Sequence, residues 1–409
     1  MSAGEAILAF LEGRGDELLE FARELIATPS VNPPGDERAV AALVSGRLRE
    51  LGIEEIEQVG ADETRPNLIA RLPGGGGPTL VLSGHLDTKP PGDLALWATD
   101  PWEPVIRDGE LFGLGSGDMK AAVAAMVYAA GALRAAGPAP GSLQLVFTAD
   151  EEAGSLLGSR WLAESGLLHG DAAIIGEPCG VVREWEAIDL VSRGAALFKV
   201  RVRGTQLHSS ISDRLPAVNA TVMMARLLDR MHRELKDALT YHGHPLGGLG
   251  PTVNVGVMAK AGIYYGVYPG EAEFACDIRT LPGMTREQLE ADLRSFLERA
   301  AAEEPGLDAE LDFEVWHPAT EISPDEPVVR ALQSAAADVL GEAPELGAFP
   351  GATDATHFQL TAGIPTVAAF GPGYISRAHS PNESLPAKAV GEAARMYALA
   401  AWRYLAAAA

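Results

Sequence analysis

Five side chains in this sequence have the chemistry of metal ligands: His85, Asp118, Glu152, Glu177 and His379. Each sits beside a glycine-rich turn or at the carboxyl end of an apolar run. They are scattered from position 85 to position 379, so no short stretch holds a cation alone, whereas a sheet whose strand ends converge would. Two imidazoles with three carboxylates suit two divalent ions, Zn²⁺ first and Co²⁺ or Mn²⁺ next, better than a soft Cu⁺. Asp118 has two oxygens, enough to bridge cations about 3.5 to 4 Å apart. It also precedes a helix-like run, and there a plain amino-terminal cap is the competing reading.

Neighbours of these five extend the chemistry. In GHLDT, Asp87 is placed to accept from the second ring nitrogen of His85, an arrangement that orients a ligating imidazole; a structural turn histidine is the alternative. Glu151 and Glu152 are adjacent at a strand end and point in different directions if the extended geometry continues. One then serves a metal and the other takes a proton from water, and adjacency does not say which. Arg279 in DIR presents a planar donor fork that matches a substrate carboxylate. Asn219, Thr353 and Asp354 each fit either a pocket wall or a local turn, and HGHP at 242–245 lacks nearby carboxylates and reads as a loop.

The elements that must position these residues alternate. TLVLS (79–83) is strand-like and delivers GHLDT to its end; GLGSGDMK (113–120) opens an Ala-rich helix at 119–136; SLQLVFTADEE and AAIIGEP supply further strands and loops. This βαβ alternation predicts an open α/β fold with a mostly parallel sheet and a site at its carboxyl edge. GLGSG lacks the spacing of a dinucleotide fingerprint. From 187 to 304 the pattern changes to LFKVRVRG, a helix over 217–235, TVNVGVM, EAEFACDIR and a helix over 285–302 whose Thr285 and Gln288 form a capping-box signature. The expected organisation is a catalytic domain at 1–186 and 305–409, interrupted by a smaller two-layer α/β lid or dimerisation domain at 187–304.

The chain has 409 residues, 32 basic and 56 acidic side chains and a formal charge of −24. That balance disfavours nucleic acid and anionic membranes as main partners, and leaves room for a local arginine to hold an acidic small molecule. Cys179 and Cys276 form no disulfide framework. The amino-terminal stretch lacks the pattern of a secretion signal, and no uninterrupted apolar run approaches the roughly 20 residues of a membrane span. A cytoplasmic protein is expected.

Taken in order, SVNPPGDE, GHLDT, GSGDMK, TADEE, GEP, HSS, DIR, GATDA and AHSPNE resemble the M20 metallopeptidase family, which includes deacetylases, desuccinylases, aminoacylases and carboxypeptidases. The resemblance implies that Asp118 bridges two metal ions, with His85 and Glu177 completing one ligand set and Glu152 and His379 the other. It further implies that Asp87 supports His85 and that Glu151 is the general base for a water nucleophile. His208 in QLHSS resembles the family histidine that assists the oxyanion, donated by the neighbouring protomer of a homodimer. The implied reaction is hydrolysis of an amide in a small N-acyl amino acid or short peptide bearing a free carboxylate. A di- or tripeptidase, a non-peptide amidohydrolase and a noncatalytic metal-dependent binding protein are the other readings.

Two departures bear on substrate. Leu114 stands where the family's glycine-rich turn usually carries an arginine, and Gly266, within AGIYYGVYP, replaces a side chain that often reaches substrate in relatives. Tyr264, Tyr265 and Tyr268 are candidates either to reshape recognition or to pack the inserted domain.

Overall fold

The computed structural model describes residues 2–246 and 250–407. The chain forms two compact units, one running through Val191 and including Glu321–Phe349 and the chain from Thr353 on, the other comprising Ser192–Thr320 with Pro350–Ala352. In chain order their main strands are β1 (Glu55–Val59), β2 (Asn67–Leu72), β3 (Thr79–His85), β4 (Ser142–Thr148), β5 (Ala172–Ile175), β6 (Gly194–Arg203), β7 (Thr252–Ala261), β8 (Glu271–Thr280), β9 (Asp308–His317) and β10 (Thr366–Val367).

The first unit is built on a six-stranded sheet in the order β1-β2-β4-β3-β5-β10. β4, β3, β5 and β10 run parallel, and β2 and β1 add antiparallel pairings at one edge. The mixed α/β class and mostly parallel sheet read from the alternating pattern are therefore present. β3 is buried along almost its whole length, as a strand covered on both faces must be. One face carries Val81, Val146, Ile175, Leu162 and Phe358. The helix Ala121–Ala136 packs against the helix Ala387–Ala407, and every residue from Ala121 to Leu133 is buried. The segment Ser116–Ala136 is apolar and long enough for a membrane span by composition, but 83% of its most apolar window is buried inside the protein. The amino-terminal stretch forms two helices, Ala3–Glu12 and Gly15–Ala27, separated at Gly13 and Arg14.

Chain order explains where side chains can meet. From β3 the chain passes to β4 on one side and then to β5 on the other. Loops leaving the carboxyl ends of these three parallel strands diverge and open a crevice between them.

The second unit has a four-stranded antiparallel sheet, β7-β8-β6-β9. β6 alternates cleanly: Phe198, Val200 and Val202 are buried, while Lys199, Arg201 and Arg203 point away. The helices Ala220–Ala238 and Arg286–Glu303 supply Met224, Leu227, Met231, Leu293 and Phe296 to the same core. Asn219 caps the first of them by accepting from the Val222 amide at 3.1 Å, so its role is local. Thr285 accepts from the Gln288 amide, while the Gln288 side chain turns to Asp292 instead of back to the cap.

Relative to the expected span of 187–304, the second unit is shifted to 192–320, for two reasons. Asp189 pairs with Ala369 of the first unit's own chain. At the other end, β9 pairs with β6 along its length, so the sheet closes only after His317.

Candidate metal centre

His85 is the last residue of β3, Glu151 and Glu152 follow β4 in a single tight turn, and Glu177 follows β5. Asp118 precedes the buried helix but is not its cap. Its backbone is non-helical, its peptide bond to Met119 is cis, and the regular helix begins at Ala121. His379 arrives from the turn before the last helix with φ of +56°. A non-glycine residue in that region is uncommon and marks a backbone held by its surroundings.

These positions converge. Asp118 Oδ1 lies 2.9 Å from His85 Nε2, and its Oδ2 lies 3.1 Å from His379 Nε2. His85 Nε2 is also 3.7 Å from Glu177 Oε1, and His379 Nε2 is 3.1 Å from Glu152 Oε1. Two three-ligand clusters result, His85–Asp118–Glu177 and Asp118–Glu152–His379, each with its donor atoms within 4.8 Å of one another. They share Asp118, one oxygen apiece. The first cluster is buried throughout, whereas the His379 side chain of the second is 46% exposed.

The charge balance says what this pocket lacks. Burial raises the Glu177 carboxyl well above its ordinary range, reinforced by the negative charge of Asp118 and opposed by His85. Burial does the same to Glu151, with His85 opposing it and Asp354, Glu152 and Asp118 adding to it. Asp118 moves the other way: burial disfavours its charge, but the imidazoles of His379 and His85 outweigh that and lower its pKa. Burial likewise opposes charging of His85 and His379, and their carboxylate partners prevail, lifting His379 to about 10. Crowded buried carboxylates held by two imidazoles and, at Glu152, by Lys89 are stabilised by further positive charge. The mixed nitrogen and oxygen donor set fits borderline divalent cations, and the shared carboxylate fits two of them.

A buried network that sequence reading did not find holds the acidic turn. The Asp87 carboxylate accepts from the amides of Glu151 at 3.2 Å and Glu152 at 3.1 Å, and from Asn32 Nδ2 at 2.8 Å. His85 Nδ1 is nearer to the backbone carbonyl of Asp87, at 2.9 Å, than to its carboxylate, at 3.5 Å. Asp87 thus positions the general-base candidate as much as the histidine. Asn32 also donates to Asp150, which is bridged by Arg65 to Glu37. Asp150 has φ of +63° and turns the chain so that Glu151 and Glu152 follow. Asn32 and Glu37 lie in the SVNPPGDE stretch, whose polar residues were the available signal.

Glu383, in AHSPNE, was also missed as a functional side chain. Its Oε1 accepts from the amides of Gly117 and Asp118, and its Oε2 from Gly115. Gly115 has φ of +76°, which lets its amide face Glu383 and explains a glycine there. Burial beside Asp118 pushes the Glu383 carboxyl up to about 8 despite these donors. Lys89 donates to the Glu152 carbonyl and lies 3.3 Å from its Oε2. Asp354 accepts from Thr148, Ser155 and Ser159, and Thr353 donates to the Ala368 carbonyl; both organise the turn.

His208 and Arg279 belong to the second unit. His208 is exposed, and its Nδ1 is 2.8 Å from Ser210 Oγ. Arg279 holds Asp277 with two nitrogens, each contact 3.0 Å. Neither His242 nor His244 enters a metal-capable cluster among the described residues. Leu114 is buried, and Gly266 occupies a turn with φ of +82°. Tyr264 and Tyr265 are 77% and 92% exposed.

This sheet edge and its paired donor clusters define a metal-dependent α/β hydrolase. The chain belongs to peptidase family M20/M25/M40, whose sequence model matches residues 81–403. Among curated relatives, the succinyl-diaminopimelate desuccinylase of Stenotrophomonas maltophilia (strain R551-3) is 32% identical over 350 residues, covering 83% of this chain and 86% of that one. A desuccinylase of the same name from Methylocella silvestris is 31% identical over 388 residues, covering 93% and 96%. The fold is shared with the M20 family metallo-carboxypeptidase Sso-CP2 from Sulfolobus solfataricus (TM-score 0.76, 20% identity, 95% of this chain and 99% of that one). It is shared too with the di-peptidase Dug1p from Saccharomyces cerevisiae (TM-score 0.74, 18% identity, 99% of each). The protein is a metal-dependent enzyme that hydrolyses amide bonds of small acylated amino acids or peptides.

Proposed function

We propose that the substrate is an N-acyl amino acid or short peptide with a free carboxylate, and that a dicarboxylic acyl group such as succinyl is the first candidate. The desuccinylase relatives support the acyl group. The observation that carries the hydrolytic reading is the division of Asp118 between two histidine–carboxylate pairs.

In this reading His85, Asp118 and Glu177 hold one Zn²⁺, and Asp118, Glu152 and His379 hold another. Bound there, the two cations supply positive charge that acidifies water and stabilises the oxygen of the attacked carbonyl. Glu151 takes the proton of the attacking water and returns it to the departing nitrogen. Asp87 fixes Glu151 through its backbone amide, so that the proton acceptor does not drift with the loop. Arg279 receives the substrate carboxylate; because its fork already holds Asp277, binding exchanges one carboxylate for another. His208 donates to the carbonyl oxygen as negative charge grows, from a partner subunit of a homodimer formed by the second unit. The exposed Val257, Met258, Ile263, Tyr264 and Tyr265 support that interface. Two unpaired, buried cysteines support a cytoplasmic location.

The test is a panel of N-succinyl and N-acetyl amino acids, carbamoyl compounds and short peptides, assayed on metal-stripped protein and after reconstitution with Zn²⁺, Co²⁺ or Mn²⁺. Expected are no turnover when stripped, recovery at two ions per chain, and preference for N-succinyl acids. Preference for peptides would move the assignment to a di- or tripeptidase. Metal binding without turnover on any compound would leave a binding protein.

A further inference from the structure

The two ligand clusters of the first unit differ in their cationic neighbours. Among the described residues, the carboxylates of Asp118 and Glu177 pair with imidazoles and with no lysine or arginine, whereas Glu152 also has an ammonium against it. Lys89 Nζ lies 3.3 Å from Glu152 Oε2 and donates to the Glu152 carbonyl oxygen. No other carboxylate among the described residues pairs with Lys89. The chain on either side explains why the ammonium arrives there. Thr88 is pinned, its amide donating to the Ser30 carbonyl at 3.0 Å and its own carbonyl accepting from the Asn32 amide at 2.8 Å. Pro90 follows and disfavours a helical backbone at Lys89. An ammonium in contact with a ligand carboxylate changes what that carboxylate offers to a dication. Lys89 already offsets the charge of Glu152, so an ion taking Glu152 gains less attraction and meets repulsion from the ammonium at short range. Glu152 and Asp118 are buried, so salt screens this repulsion only weakly. The His85–Asp118–Glu177 cluster has no such competitor.

We propose that Lys89 competes with a divalent cation for Glu152, and that it thereby makes the ion at Asp118–Glu152–His379 weaker and more exchangeable than the ion at His85–Asp118–Glu177. The proposal rests on the two-ion reading of the centre. Its consequence is a resident ion in the buried cluster and a second ion whose occupancy follows the free metal concentration, over a range that Lys89 sets. Removing the ammonium, without touching any ligand, is then enough to bring the second ion closer to the first in affinity.

The experiment titrates Co²⁺ into the metal-stripped full chain by calorimetry, with stoichiometry from equilibrium dialysis and melting temperatures for stripped and saturated protein. Wild type is expected to take up two ions, the second more weakly by about tenfold or more. Lys89→Met and Lys89→Gln should each tighten the second ion by about tenfold and leave the first within about threefold. Lys89→Arg, which keeps the charge, should stay close to wild type. Glutamine retains a donor for the Glu152 carbonyl, so agreement between Lys89→Gln and Lys89→Met assigns the effect to charge and not to the hydrogen bond that holds the turn. The rise in melting temperature on saturation should be larger in Lys89→Met than in wild type, as tighter binding to the folded chain requires. One ion in wild type and two in Lys89→Met is the same result at its limit. Equal affinities for the two ions in wild type, a second ion unchanged or weakened in Lys89→Met or Lys89→Gln, equal tightening of both ions, or Lys89→Arg behaving like Lys89→Met would each overturn the competition while leaving the two-ion centre in place. Fewer than two ions in wild type and in every variant overturns the two-ion centre itself, and the competition with it.

Discussion

The two units treat charge in opposite ways. In the first, His85, Asp87, Asp118, Glu152, Glu177 and Glu383 are all buried and depend on one another, on backbone amides and on cations. In the second, the outward row of β6 pairs Lys199 with Glu314, Arg201 with Glu273 and Arg203 with Glu310 across a water-facing sheet surface. Solvent screens the latter set, so each pair contributes little. The former is desolvated, so removing one member leaves the others uncompensated. Charge at the parallel-strand ends is therefore interdependent and fragile, whereas charge on the antiparallel face mainly keeps that face wet.

Substitutions can break or sharpen that contrast. Asp118→Ala should have the largest effect, removing activity and lowering metal content below two ions per chain; full loading measured by elemental analysis would show that the carboxylate is not shared. Glu151→Gln should cut kcat by roughly 10² to 10⁴ while metal content stays near wild type, and unchanged turnover would remove Glu151 from proton transfer. Asp87→Asn, which weakens the anchor of the Glu151–Glu152 turn, should cost on the order of 10 to 100-fold in activity or metal affinity, read from metal titrations and kcat together.

Asp189 tests buried charge away from the metal cluster. Burial, aided by the charge of Glu186, pushes its carboxyl up to about 8 from 3.8. The folded chain then keeps a proton that the unfolded chain releases. The contribution of Asp189 to stability is largest below about pH 4, falls as pH rises toward 8 at up to about 1.4 kcal/mol per pH unit, and levels off above it. Asp189→Asn should flatten that window in denaturant titrations; parallel curves for the two proteins would refute it. The smallest effect is expected at Arg201→Gln on the second unit's outer face, within about 0.5 kcal/mol by the same titration. A loss of several kcal/mol there would erase the contrast between the units.

Much of the architecture was legible because apolar periodicity is a local property. The run 79–83, the Ala-rich helix, the alternation of LFKVRVRG and the cap at Thr285 each announce their element through neighbours a few residues away. The five residues that converge at the sheet edge were legible for a different reason: histidines and carboxylates at the ends of apolar runs are costly to bury without a purpose. Boundaries between units were less legible, since whether 308–317 belongs to the second sheet depends on a ladder with β6 more than 100 positions earlier, for which its local composition carries no signal.

The sequence by itself determined which side chains are able to bind cations, which segments are strands or helices, and that the parallel strands must deliver those side chains to one edge. Only the tertiary structure decided that Asp118 faces His85 with one oxygen and His379 with the other, that Asp87 grips the turn carrying Glu151, and that Glu383 holds the Gly115–Asp118 loop. Propensity and periodicity act over a few residues, whereas these pairings are settled by long-range packing and desolvation, which have no expression until distant strands lie side by side.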